Sequence, residues 1–227
     1  MQAELINLLE EFVTKNKVHL INKVLAERTR HFAVVLEDVY HPHNASAVLR
    51  TSDCFGLQDL YITQKLHEYQ LNPNIVRGAS NWVTLHKYER EEESTIKCFQ
   101  DLRKKNYRIV GTTPDPNSAS IHDLDISQKT AVVFGAEHEG ISDFAKQEAD
   151  ELVHVPMYGF TESFNVSVSV ALIVMDLVRR LKQSDINWRL TEEEQQDLKF
   201  EWYQRIVKRS DIHIKTYLKE RSITDIG

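Results

Sequence analysis

The chain is poor in cysteine and glycine, and both shortages narrow what it can be. Cys54 and Cys98 form neither a metal-ligand spacing nor a disulfide framework, which excludes a small disulfide-stapled domain and a structural zinc site. Only seven glycines occur in 227 residues. Neither G-x-G-x-x-G nor G-x-x-x-x-G-K-[ST] is present, so the usual glycine cradles for dinucleotides and triphosphates are missing. No apolar run reaches membrane-spanning length, and the opening MQAELINLLEEF is acidic where a signal peptide is basic. The expectation is a cytoplasmic protein without a membrane partner. Excess positive charge is lacking as well: a net charge of −6 argues against indiscriminate polyanion binding, and DNA is not an expected partner. The ten histidines give no cluster, and no metal is expected.

What is present describes a globular protein. Hydrophobic residues make up 41% and charged residues 27%, and the length suits one large domain with appendages. Two short amphipathic helices are predicted over residues 3–15 and 18–28. They are followed by a strand at 31–39, a helix at 45–55 stopped by Gly56, and a strand at 57–63. After a turn-rich passage at 72–81 come a short strand at 82–86, a charged helix at 91–105, and strands at 107–111 and 130–134. Strands alternating with helices indicate an α/β domain with a mostly parallel sheet and helices on both faces, over 31–182. A helical extension at 1–30 precedes it and a basic helical extension at 183–227 follows.

Residues 151–180, ELVHVPMYGFTESFNVSVSVALIVMDLVRR, carry three structural demands in one stretch. The apolar run Leu152 to Val155 ends at Pro156, which fixes φ and removes a backbone donor, so a strand stops there. A loop with Gly159 and the polar tip Glu162 and Ser163 follows. Asn165 then suits the N-cap of a long apolar helix that ends in the cations Arg179 and Arg180. The alternation from Val166 to Val170 read by itself would be a strand; the nearly continuous apolar run beyond it favours a helix.

Charge is not spread evenly. Lys15, Lys17, Lys23, Arg28 and Arg30 cluster near one end, and Lys199, Arg205, Lys208, Arg209, Lys215, Lys219 and Arg221 near the other. Basic ends with interleaved aromatics on an acidic body suit a nucleic acid that touches a limited surface. Solvated helix faces are the plainer alternative. Arg77, Lys87, His41 and His43 are further groups that could face RNA.

In parallel α/β sheets, ligands bind beyond the carboxyl ends of the strands. The polar strand ends here are HPHN after the first strand, TTP after Gly111, GAEHEG after Phe134 and PMYGFTESFN after Val155. Three of these passages, HPHNASAVLRTSDCFGL (41–57), VVFGAEHEGIS (132–142) and VPMYGFTESFNVSVSVAL (155–172), resemble in order and spacing the motifs of the SpoU branch of the SPOUT RNA ribose methyltransferases. The likeness covers residues 32–180, and the paired terminal extensions look most like the TrmH type, which methylates the ribose of guanosine 18 in the tRNA D loop.

The resemblance implies a SPOUT-type α/β knot, with a deep trefoil in the C-terminal part of the domain. It also implies a homodimer, S-adenosylmethionine as methyl donor and tRNA as substrate, with ribosomal RNA as the alternative. It assigns catalytic positions to Asn44, Arg50, Glu137, Ser163 and Asn165, and donor contacts to Thr113, Gly135, Val155, Met157 and Phe164. Phe164 stands where the family usually has Leu, and Val155 where it often has Ile; both keep an apolar wall. In the family an arginine at the position of Arg50 is the proposed activator, acting in the partner subunit's site. A guanidinium stays protonated in proteins, so stabilising a developing alkoxide or clamping a phosphate is its safer role. A non-catalytic RNA-binding protein on the same fold is the reading from a different class. A pure binder has no need of all five catalytic positions together.

Overall fold

A computed structural model describes residues 1–65, 69–76, 78–89 and 93–224. The chain divides into two compact units, Thr29–Trp188 and a second made of Met1–Arg28 with Arg189–Gly227.

The first unit is a parallel sheet covered on both faces. Its strands are β1 (Phe32–Glu37), β2 (Asp59–Thr63), β3 (Thr84–Tyr88), β4 (Arg108–Thr112), β5 (Ala119–Ser120), β6 (Thr130–Phe134) and β7 (Glu151–His154). Among the described residues they lie in the order β3-β2-β1-β6-β4-β7-β5, and every pairing is parallel. The central strand β1 is flanked by β2 in the register Val34 to Leu60 and by β6 in the register Phe32 to Thr130.

Side chains on a strand alternate between faces, so β1 feeds two cores. Phe32, Val34 and Leu36 pack with α3 (Pro42–Cys54) and α7 (Val166–Lys182) through Val48, Leu49, Val170 and Ile173. Ala33 and Val35 pack with α5 (Ser94–Lys104) through Cys98, Phe99 and Leu102, and with Ala145 of α6 (Asp143–Glu148). A short helix, α4 (Pro73–Val76), lies in the turn-rich passage.

Several boundaries shift from those expected. The helices expected at 3–15 and 18–28 run Gln2–Glu10 and Lys15–Leu25, the second opened three residues early by Thr14, whose hydroxyl accepts from Lys17 N. The strands expected at 31–39, 57–63 and 82–86 run Phe32–Glu37, Asp59–Thr63 and Thr84–Tyr88. The helix expected from Ala45 starts at Pro42, because proline at the first helical position lacks an N–H that would have no partner there. This makes His43 and Asn44 helical residues. The two-residue strand β5 was not expected; Ala119 and Ser120 are too few to show a period, and only pairing with Val153 and His154 makes them a strand. Gly56 ends α3 as expected, with φ +79. Arg77 and residues 91–92, the expected start of α5, lie outside the described residues.

The second unit joins both ends of the chain. Its helices are α1 (Gln2–Glu10), α2 (Lys15–Leu25), α8 (Glu192–Ile206) and α9 (Ser210–Thr224). Leu5, Ile6 and Leu9 of α1, Ile21 and Leu25 of α2, and Leu198, Trp202 and Tyr203 of α8 are buried. Thr191 opens α8 with a reciprocal cap: its hydroxyl accepts from Glu194 N at 3.2 Å, and its own N–H donates to Glu194 Oε2 at 2.9 Å. Across the two chain ends, Glu10 Oε2 accepts from Tyr203 OH at 2.8 Å and pairs with Lys199 at 3.0 Å, and Glu4 pairs with Arg221.

This packing withdraws part of the basic cluster from solvent partners. Arg28 is 1% exposed, with its guanidinium 5.4 Å from the Trp202 ring, and Lys199, Arg205 and Arg221 are engaged with carboxylates. Lys15, Lys23, Lys208, Arg209 and Lys215 remain exposed without an ion pair among the described residues.

Candidate active site

The carboxyl ends of β4, β6 and β7, three adjacent strands, open into a cleft of about 570 Å³ closed on its remaining side by the start of α7. Strand ends of a parallel sheet all point the same way, so the loops after them gather at one edge. Thr113, Gly135, Val155, Met157 and Phe164 all line this cleft, as do Glu137, Ser163 and Asn165. Pro114, Ile141, Ser169 and Ile173 are also in its wall.

Each wall is fixed by a local requirement. Thr113 N donates to Val153 O at 3.0 Å, which ties the end of β4 to β7, and its hydroxyl accepts from Asp115 N at 3.2 Å in the turn that follows. After β6 the chain folds back on itself: Gly140 N donates to Ala136 O at 3.0 Å, with Gly140 at φ +69. A Cβ on Gly135 would stand 1.9 Å from Gly140 C and 2.0 Å from Gly140 O, so only glycine allows this return.

The far end of that loop is held by a residue the motif reading passed over. Glu37, 5% exposed at the end of β1, accepts from Ser142 N at 2.8 Å, from Ser142 Oγ at 2.8 Å and from Thr95 Oγ1 at 2.9 Å. The signal available in the sequence was a carboxylate inside the apolar run HFAVVLEDV, since a buried charge needs donors.

At the mouth of the cleft three segments meet in a chain of hydrogen bonds. Asn44 Nδ2 donates to Glu137 Oε1 at 2.6 Å, and Asn165 Nδ2 donates to Asn44 Oδ1 at 3.2 Å. Asn165 Oδ1 in turn accepts from Ser167 N at 2.9 Å and Ser167 Oγ at 2.6 Å, capping α7. Both oxygens and amides of the two asparagines are thus oriented. Glu137 Oε2 is buried and has no hydrogen-bond partner among the described residues. It is an acceptor waiting for a donor.

Arg50 stands apart from this group. It is exposed on α3, does not line the cleft, and makes no hydrogen bond or ion pair among the described residues. Six residues beyond Asn44, at about 3.6 residues per turn, it lies on a different side of the helix. Ser163 is exposed at the rim. His41 and His43 are exposed at the start of α3, and Lys87 lies 5.6 Å from the Tyr69 ring. Among the described residues no group of three His, Cys, Asp or Glu side chains could hold a metal ion, and no helix is long and apolar enough to cross a membrane.

Comparison with known proteins places this architecture. A protein of Borreliella burgdorferi named tRNA (guanosine(18)-2'-O)-methyltransferase is 38% identical over 203 residues, 89% of this chain and 91% of its own. The crystal structure of the Aquifex aeolicus TrmH/SpoU tRNA modifying enzyme superposes with a TM-score of 0.74 at 28% identity, covering 86% of this chain and 98% of that one. The SpoU methyltransferase AviRb from Streptomyces viridochromogenes, solved in complex with the cofactor AdoMet, shares the fold with a TM-score of 0.57 at 20% identity over 71% of this chain and 62% of its own. Residues 31–175, which include every segment that lines the cleft, match the model of the SpoU rRNA Methylase family, and the chain belongs to that family.

Proposed function

We propose that the protein transfers a methyl group from S-adenosylmethionine to the ribose 2'-hydroxyl of guanosine 18 in tRNA. The observation that carries this reading is the Asn44, Glu137, Asn165 chain at the mouth of the cleft, in a family member whose relative matched over 89% of the chain bears that name. The cleft suits the donor on its own evidence of shape. Its volume falls within the ~300–1,000 Å³ of small-molecule sites, Gly135 lets the loop after β6 fold back closely along its edge, and Val155, Met157, Phe164 and Ile173 supply apolar walls. The bound donor would supply an electrophilic methyl group on a sulfonium sulfur.

The chain's own residues then align and stabilise the attacking group. Glu137 Oε2 accepts from a ribose hydroxyl and so satisfies its missing bond; Asn44 holds the other Glu137 oxygen, and Asn165 holds Asn44. Ser163 borders the ribose from the rim. Arg50, supplied by the facing protomer, stays protonated and stabilises the alkoxide that develops as the attacking 2'-hydroxyl passes its proton to Glu137 Oε2. Incubation with radiolabelled donor and either bulk tRNA or ribosomal RNA, followed by mapping, should place the label at the ribose of guanosine 18. Label confined to ribosomal RNA would overturn the substrate, and no incorporation would favour a binding role. A protein acting on tRNA works in the cytoplasm, where cell fractionation should find it.

A homodimer with a C-terminal trefoil knot completes this reading. The side of α7 away from the sheet presents Val168 (44% exposed) and Met175 (49% exposed), an apolar stripe at helical spacing that a second copy would cover. Sedimentation at micromolar concentration should give twice the chain mass of 26.4 kDa. A fully active monomer would rule the dimer out.

The helical unit of the two termini is the proposed tRNA-holding surface. Lys15, Lys23, Lys208, Arg209 and Lys215 offer free cations, and Phe12, 52% exposed and stacked on His213 at 4.1 Å, offers an aromatic face. Removing 190–227 would strip α8 from α1 and α2, so charge substitution is the cleaner test. Replacing Lys208, Arg209 and Lys215 by Gln should weaken tRNA binding about tenfold or more and flatten its salt dependence, because fewer counterions are released. Unchanged affinity would make the unit structural.

A further inference from the structure

Resting on the ribose-methylation reading, we propose that the loop 157–164 is a nucleobase-holding arm. Tyr158 and Phe160 stack on the base of the target nucleotide, and Glu162 reads its edge as guanine.

The two rings are the least buried large hydrophobic side chains described, at 97% and 108% relative exposure. They sit between Met157 and Ser163, both of which line the donor cleft, so they stand at its rim. Exposed rings beside a catalytic cleft call for an occupant, and the chemistry of the reaction supplies one. A 2'-hydroxyl can approach a donor buried beyond Glu137 only if its nucleotide is drawn out of its stack. An unstacked base then exposes a π-face, which single-stranded RNA-binding surfaces capture on aromatic side chains. A Cβ at Gly159, between the rings, would meet nothing within 4 Å, so the arm has free space around its midpoint.

Glu162 adds discrimination. It is exposed and makes no hydrogen bond or ion pair among the described residues. An ionised carboxylate only accepts, and its two oxygens match the adjacent N1–H and N2–H donors of guanine; adenine offers an acceptor at N1. A carboxylate at the rim is otherwise unfavourable next to a phosphate backbone, which makes a base edge its fitting partner.

The test uses full-length protein with a tRNA transcript, reading single-turnover methylation, transcript affinity without donor, donor affinity by calorimetry, and sedimentation. Tyr158→Ala and Phe160→Ala should each lower transcript affinity and transfer by about tenfold or more, with donor affinity and sedimentation unchanged. Tyr158→Phe and Phe160→Tyr should restore both. Glu162→Gln should reduce the preference for guanosine over inosine, which lacks the N2 amine, at the target position. Wild-type affinity in the alanine variants, or an undiminished guanosine preference in Glu162→Gln, overturns the proposal. So does dissociation of the alanine variants in sedimentation, which would make the rings a contact between copies. If the wild type transfers no methyl group, the function reading fails by itself, and the affinity readout still decides on the arm.

Discussion

Arg50→Ala should lower methyl transfer by about 10²–10³-fold and leave S-adenosylmethionine affinity at the wild-type level. The magnitude is that of removing one charge-stabilising donor from a preorganised site. The selectivity comes from geometry, since Arg50 is exposed on α3 and lines no part of the cleft of its own chain. Arg50→Lys separates two roles: it keeps the charge and loses the planar fork, so a severe defect indicates bidentate geometry and a mild one simple electrostatics. Single-turnover methylation of a tRNA transcript, paired with calorimetry of donor binding, measures both quantities. Near-normal transfer by the alanine variant would remove Arg50 from the mechanism.

Gly135→Ala should fail for the opposite reason. Its Cβ would press on three backbone atoms, with Ile141 N at 2.2 Å in addition to the carbonyl group of Gly140, and backbone has nowhere to go without opening the loop. Donor affinity should fall about a hundredfold or more, and the melting temperature by roughly 5 °C, in keeping with ~1–3 kcal/mol for overpacking. Gly140→Ala makes the contrast: nothing lies within 4 Å of the added Cβ, so only its φ of +69 is strained, at about 1 kcal/mol. That variant should melt slightly lower and still bind donor. Unimpaired donor binding by Gly135→Ala would show that the loop rearranges at low cost. Co-folding the Arg50→Ala and Gly135→Ala chains joins the two predictions. If Arg50 acts across the dimer, mixed dimers recover one intact site, and activity reappears from two inactive variants.

The core of this fold was legible wherever periodicity and punctuation agreed. Pro156, Asn165 and the apolar run to Val178 located β7 and α7, because proline cannot continue a strand and asparagine caps a helix. The Val166 to Val170 alternation resolves on helical spacing: Val166 and Val170 are buried four residues apart, and Val168 faces outward. Spacing of motifs also brought Asn44, Glu137 and Asn165 to one place, although 93 and 121 residues separate the bonded pairs. What stayed hidden depends on tertiary partners. Arg28 reads as a surface cation until Trp202 covers it, and Glu37 reads as a strand-end charge until Ser142 and Thr95 surround it. The union of both chain ends in one helical unit has no local signature, since each amphipathic stripe shows only that a partner exists.

The strand order sets a clock on the making of this protein. Phe32 of β1 pairs with Thr130 of β6, about a hundred residues later, and among the described residues β6 joins β1 to β4 and β7. At the ~5–20 residues per second of protein synthesis, the first half of the sheet waits roughly 5–20 s on the ribosome with one side of β1 unpaired. Asn44 waits longer still, until Asn165 has emerged. An unpaired apolar strand is an invitation to wrong partners. The early pairing of β1 with β2, where Val34 meets Leu60, shields the other edge during that interval.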